Sequence, residues 1–281
     1  MTAERSLSPV VSSSPSGTAP LKRIAIFAAT SWEVAAVQAA FPSGVERQVD
    51  GLCVFVGTVG CREYWLARTG VGLEKASRVA SQLLKHQPFS LVVSTGFACA
   101  LVQAEIGDLL VGTDVFLVGA QGLEQSRAID VPGIERDAVL AIATGLVPHD
   151  HVGRFVSADR IIGRAADKSH VAHTTEAIGL DMESAALAIE AGRTQVPFVI
   201  VRAVSDLLDE DLPLDFNLFL RPTGWVKGIA AVLGAPSSLL GLGRLRRQSL
   251  AAATQLTAFF QRYGDVMARE DARERMLTNR L

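Results

Sequence analysis

The stretch Gly179-Leu-Asp-Met-Glu-Ser-Ala-Ala-Leu-Ala-Ile-Glu190, followed at Val199 by Val-Ile-Val-Arg-Ala-Val-Ser-Asp206, constrains this 281-residue chain more than any other. A short apolar run ends in an acidic pair and passes into an alanine-rich helical pattern. The next β-rich run then ends in a further acid. Two carboxylates, Glu183 and Asp206, are thereby expected at the ends of neighbouring strands of one sheet. In an open α/β sheet a ligand binds at the carboxyl ends of the strands. These two acids are therefore candidates for gripping and protonating a small molecule.

The rest of the chain repeats the alternation. β-Rich runs at 23–29, 53–58, 64–69, 91–95, 109–118, 153–157, 177–181 and 199–204 alternate with helical patterns, among them 74–86 and 184–191. Several runs are apolar on both faces, which implies a mixed central sheet covered by helices on each side, a three-layer αβα architecture. The expected organisation is a disordered tail over residues 1–20, rich in Ser, Pro and Gly, a main domain over 21–212 and a helical C-terminal extension over 213–281. In that extension Pro213, Pro222 and Pro236 break the chain. Residues 244–263 then read as a helix with Leu, Ala and Phe on one face, and the tail from Arg269 is expected to fray. The apolar face packs on the core or on a sister subunit. With Leu239, Leu240, Leu242 and the arginines 244, 246, 247 and 262, it also offers a membrane-surface alternative.

Twenty-seven basic against 29 acidic residues give a net charge of −2, without the basic field that nucleic-acid binders use. Cys53, Cys61 and Cys99 lie in or beside apolar runs without CxxC spacing, which reads as buried thiols in a reducing compartment, the cytoplasm. No apolar run approaches the eighteen residues that a spanning helix requires.

Smaller motifs add candidates. Gly70-Val-Gly72 stands between a strand and a helix, where backbone amides receive an anion or a hydroxyl, but it lacks GxGxxG or GK[ST] spacing. Residues 94–101, Ser-Thr-Gly-Phe-Ala-Cys-Ala-Leu, read as a second turn of small residues that a ligand can approach. Glu33 falls in the first turn of a helix that follows the first strand; it is either a helix-start charge or a base. Trp32 is a candidate to line the same pocket, whereas Trp65 and Trp225 read as core. His149-Asp-His151 and His170-x-x-His173 offer metal-ligand chemistry but stand apart from the acids, so no metal and no cofactor are expected.

In order along residues 21–213, these segments resemble the nucleoside phosphorylase and nucleosidase superfamily, particularly its methylthioadenosine/S-adenosylhomocysteine nucleosidase branch. Asp181-Met-Glu-Ser-Ala-Ala and Arg202-Ala-Val-Ser-Asp206 carry most of the resemblance, supported by Gly70-Val-Gly, Thr95-Gly and Ile106-Gly-Asp108. The resemblance implies that Glu183 binds the ribose hydroxyls and Met182 packs on the sugar. It also implies that Asp206, oriented by Ser205, protonates N7 of the leaving purine while Glu33 activates water. Gly96, Phe97 and Ala98 would face the sugar, Ile161 and Ile162 the base, and Arg202 would stand among the substrate-binding residues. Ser94 occupies a position where the superfamily's phosphorylases carry a phosphate-binding arginine, which favours hydrolysis, although Arg68 and Arg202 leave phosphorolysis as an alternative.

Phe97 and Cys99 replace smaller residues, and Ile161 stands where adenine-specific nucleosidases have a phenylalanine, which suits a larger, greasier 5′ substituent. The segment from Ser157-x-Asp159 to Lys168, with the C-terminal helix, is also similar to hopanoid-associated members thought to remove adenine from adenosylhopane. That similarity implies a lipid-linked substrate, peripheral membrane contact and, as in relatives, a homo-oligomer. A non-catalytic nucleoside- or lipid-binding protein is the reading from another class.

Overall fold

The computed structural model describes residues 21–119, 122–124, 133–212 and 236–278. The expected disordered tail, Trp225, Pro213 and Pro222 lie outside them. The scaffold is built around three neighbouring strands, β1 (Lys22–Ala28), β4 (Arg62–Arg68) and β5 (Leu91–Ala100), with β1 parallel to both others. Antiparallel β3 (Leu52–Val59) and then β2 (Val45–Val49) extend the sheet beyond β4. On its other side β5 pairs with parallel β10 (Phe198–Asp206), and β10 with antiparallel β6 (Leu109–Gly119). From β6 the sheet continues through parallel β8 (Val152–Ala158) to β9 (Gly179–Asp181), which returns to pair with the last residues of β5. The sheet therefore closes on itself through five strands, while β7 (Gly122–Glu124) adds to the end of β6.

Alternation along β1 shows why both faces need cover. Ile24, Ile26 and Ala28 join a cluster with Val37, Phe259, Phe260 and Tyr263, whereas Ala25 and Phe27 join one with Ala76, Val79, Leu83 and Leu187. Successive strand residues point to opposite faces, so a strand apolar at every position demands a helical layer on each side. Helices α2 (Leu73–His86) and α5 (Ser184–Arg193) form one layer; α1 (Ser31–Gln38), α3 (Ile134–Thr144) and α6 (Pro236–Thr278) contribute to the other. Helix α4 (Ala165–Thr175) lies between β8 and β9 in the chain.

Three expectations are corrected here. Residues 94–101 are not a turn: β5 runs to Ala100, because both β10 and β9 supply hydrogen-bonding partners for its second half. The tail from Arg269 does not fray. Helix α6 continues to Thr278, and Asp271 on it is buried against Arg62, with Nη2 to Oδ1 at 2.8 Å and Nε to Oδ2 at 3.0 Å. Of the cysteines only Cys99 is buried; Cys53 is exposed on β3, next to the edge strand.

The apolar face of 244–263 is spent inside the protein. Ala252, Leu256, Phe259, Phe260 and Tyr263 are buried, and Tyr263 meets Tyr64 of β4 edge to face at 5.7 Å. No helix among the described residues is long and apolar enough to cross a membrane.

Candidate active site

The carboxyl ends of β1, β5, β8, β9 and β10 converge on a cavity of about 330 Å³. Glu33, Glu183 and Asp206 all line it, together with Phe97, Ala98, Ile161, Ile162, Met182 and Ser205. Gly96 and Arg202 stand behind this wall rather than in it. Trp32 does not line the cavity and is half exposed, because it lies on the outward side of α1.

Glu33 is the helix-start charge of α1, and its carboxyl group also lines the cavity. Thr30 caps α1 by accepting from the Glu33 amide at 3.3 Å. Glu33 Oε2 accepts in return from Thr30 N at 2.6 Å and Thr30 Oγ1 at 2.8 Å, a reciprocal capping box. Its Oε1 reaches across to β5 and accepts from Phe97 N at 2.7 Å. This crossing needs Gly96: a Cβ there would fall 2.2 Å from Glu33 Oε1, and the backbone φ of +134° is one that side chains rarely adopt. The carboxyl group is thus held at the cavity wall by two elements.

Asp181 and Arg202 form the foundation of Glu183. Asp181 Oδ1 accepts from the amides of Glu183 and Ser184, both at 3.2 Å, which caps the start of α5; Asp181 also accepts from the hydroxyls of Ser157 and Ser184. Arg202 is wholly buried on β10. Its Nε lies 2.8 Å from Asp181 Oδ2, its Nη1 donates to Phe97 O at 3.0 Å, and its Nη2 donates to Ser94 Oγ at 3.0 Å and lies 3.5 Å from Glu183 Oε2. A guanidinium with these partners is a structural cation that compensates buried acids. Glu183 Oε1 accepts from Gly72 N at 2.9 Å, so the Gly70-Val-Gly72 turn binds a protein carboxylate. Burial raises the Glu183 carboxyl to about 7, against the opposing pull of Arg202.

Asp206 has a partner that its motif did not disclose. Lys168 of α4, fully enclosed, places Nζ 2.9 Å from Asp206 Oδ2, while Oδ1 accepts from Ser205 Oγ at 3.2 Å. A signal existed: Lys168, Val171 and Thr175 share the buried stripe of α4, and a lysine on such a stripe requires an acid nearby. Cys99 lines the cavity beside this pair. Burial pushes its thiol well up, and the Asp206 charge adds to the effect, which leaves it without thiolate character.

The histidine pairs stand elsewhere. His151 is buried with Nε2 3.1 Å from Gln103 O, in a short 3₁₀ turn over His149–His151. Arg68 is exposed at the end of β4. The cation lining the cavity among the described residues is Arg160.

A family model of the phosphorylase superfamily matches residues 23–222. Among solved structures, the 5′-methylthioadenosine/S-adenosylhomocysteine nucleosidase of Helicobacter pylori, complexed with a substituted pyrrolidin-3-ol, aligns with a TM-score of 0.64 at 18% identity, over 88% of this chain and 99% of that one. The futalosine hydrolase of H. pylori aligns at 0.63 and 16% identity, over 87% and 98%. The S-adenosylhomocysteine nucleosidase of Streptococcus pyogenes, with 5-methylthiotubericidin, aligns at 0.60 and 20% identity, over 88% and 99%. At these identities the alignments establish the fold, and the family match covers most of the chain. With its closed mixed sheet and its acids at the strand ends, this chain belongs to the phosphorylase superfamily.

Proposed function

We propose that this chain is a purine nucleosidase that hydrolyses the N-glycosidic bond of a 5′-substituted adenosine. The observation that carries the reading is that Glu33, Glu183 and Asp206 share one cavity, whose volume of about 330 Å³ lies at the lower end of the range for small-molecule sites. Glycosidic cleavage through an oxocarbenium-like state needs a proton for the leaving base and an activated nucleophile for the sugar. Asp206 Oδ1 supplies the proton to N7, since Oδ2 already accepts from Lys168. The C1′–N9 electron pair leaves with the base. Glu33 takes a proton from the attacking water, and Glu183 holds the ribose hydroxyls.

Hydrolysis is preferred to phosphorolysis because the donors facing this part of the cavity are already taken. Thr30 N, Thr30 Oγ1 and Phe97 N all point at the Glu33 carboxyl, and Ser94 is buried against Arg202. A phosphate in that place would have to displace a carboxylate. The apolar rim of Phe97, Leu212 and Leu245 supports a lipophilic 5′ substituent, and adenosylhopane is the specific form of that reading. A long substituent would pass over this rim, because the cavity holds little beyond a nucleoside. Cytoplasmic residence and a homo-oligomer are inferred with it from the resemblance.

The test is adenine release from methylthioadenosine, S-adenosylhomocysteine and a lipophilic 5′-substituted adenosine, each with and without phosphate. Release of adenine and a free sugar without phosphate is expected. Obligatory phosphate with a sugar 1-phosphate product would make the protein a phosphorylase, and nucleoside binding without release would make it a binding module.

A further inference from the structure

The Lys168 ammonium is an unusual element of this site. It is fully enclosed, and all three of its protons have acceptors: Asp206 Oδ2 at 2.9 Å, Leu207 O at 2.9 Å and Glu210 O at 2.9 Å. It has no proton left for a substrate. Burial alone would discharge the amine, and an ionised Asp206, the form present once its proton has left, more than offsets this and holds Lys168 above the ordinary lysine value. The segment it grips is braced from the other side. Glu210 accepts from Gln248 at 2.9 Å and lies 3.5 Å from Arg244, both on α6, and the adjacent Leu245 lines the cavity. One lysine on α4 therefore fixes the carboxylate at the end of β10 and the backbone leading to the pocket rim.

We propose that Lys168 is a positioning residue for leaving-group protonation: it fixes the Asp206 carboxyl with Oδ1 toward the base and is the counter-charge for the carboxylate left when the proton departs. The inference rests on the nucleosidase reading above. In the step, the Asp206 Oδ1–H bond breaks and an N7–H bond forms, while the C1′–N9 pair moves onto the purine. Asp206 becomes an anion and the ribosyl group is captured by water, whose proton passes to Glu33. Glu33 releases its proton to solvent and Asp206 takes one back before the next turnover. The negative charge that appears on Asp206 is met by an ammonium already in place, and an interaction that strengthens along the reaction raises turnover.

A lysine that merely braced the fold would affect every substrate alike, so the test compares leaving groups. Lys168→Met removes the charge at similar length, Lys168→Arg keeps it, and each is assayed below its own melting temperature per folded molecule. With 5′-methylthioadenosine, Lys168→Met is expected to lower kcat by about 100-fold with KM changed by less than about threefold. With 4-nitrophenyl riboside, whose nitrophenolate leaves without a proton, it is expected to retain cleavage within about threefold of the parent. Lys168→Arg is expected to recover at least about tenfold of the lost kcat, and Lys168→Met placed on Asp206→Asn to cost almost nothing further. Equal losses on both substrates, or a full additional loss in the Asp206→Asn background, would overturn the proposal. If the parent protein releases adenine from none of the three nucleosides named above, the nucleosidase reading fails instead, and the experiment separates the two.

Discussion

A carboxyl buried as deeply as Glu183 is costly to ionise, and its neighbours only partly compensate. Arg202 Nη2 approaches at 3.5 Å, but that guanidinium is shared with Asp181, Ser94 and the Phe97 carbonyl. Burial consequently raises Glu183 to about 7, whereas in an unfolded chain it titrates near about 4.3. Between these values the folded protein holds a proton that the unfolded chain has released, so this group makes stability fall as pH rises from about 4.3 to about 7 and level off beyond. Ligand affinity moves the other way, because the ionised form is the better acceptor for ribose hydroxyls. Calorimetric binding of a non-hydrolysable adenosine analogue is expected to strengthen as pH rises through about 7, and Glu183→Gln to weaken it by about 2–4 kcal/mol while flattening that dependence. An unaltered pH profile in the variant would remove Glu183 from the ribose. Asp206→Asn is expected to lower kcat by about 10²–10⁴-fold with little change in KM, since its proton matters chiefly in the transition state. Steady-state kinetics with equal losses in binding and turnover would contradict that role.

Among the elements, β5 shows what the sequence could and could not disclose. Small residues at 94–101 do mark a close approach, but the approaching group is the protein's own Glu33, not a ligand alone. Composition identifies the need for space and is silent about what fills it. The block around Asp181 was legible for a related reason: capping of α5 and the backbone position of Glu183 depend on residues adjacent in the chain, although its carboxylate is held by the distant Gly72 and Arg202. Lys168, 38 residues before its partner, leaves only the weak trace of a charge on a buried stripe. Arg202 was ambiguous because a strand arginine reads alike whether it meets a substrate or buried acids. The β5 geometry also yields a test. In Gly96→Ala the new methyl would meet Glu33 Oε1 at 2.2 Å under an unfavourable φ. A lower melting temperature is expected together with a loss of hydrolysis exceeding the loss of nucleoside binding, because the displaced group is the one assigned to water. Crystal or NMR evidence that Glu33 still bonds Phe97 N in an inactive variant would point elsewhere.

At the scale of the whole molecule, helix α6 decides which experiments are informative. An amphipathic pattern at 244–263 states that a face must be covered but not by what, and here the cover is the main sheet and α1. Burying Leu256, Phe259 and Phe260 stabilises the fold by about 1.5–3 kcal/mol each. Farther along, Asp271 compensates Arg62, a buried guanidinium that also meets Glu135. Asp271→Ala is expected to cost about 3 kcal/mol in urea unfolding, since breaking a buried pair leaves a charge poorly compensated. Deleting the chain from Arg244 onward would remove this core and unfold the protein, so it cannot reveal whether the molecule meets a membrane. Arg246 and Arg247 can, because both are exposed on the helix that also gives Leu245 to the cavity wall, and Leu250 beside them is exposed as well. If a lipid-held substrate is delivered from an anionic membrane, reversing both charges with Arg246→Glu and Arg247→Glu should weaken partitioning onto phosphatidylserine vesicles, read by co-sedimentation, by at least about thirtyfold, at roughly 1 kcal/mol per basic residue near such a surface. Cleavage of methylthioadenosine in solution should not change, as neither side chain touches the site. Vesicle binding that survives the double reversal would exclude this arginine pair as the contact, and a parent protein that does not sediment with the vesicles would remove the membrane from the picture of how this cavity is reached.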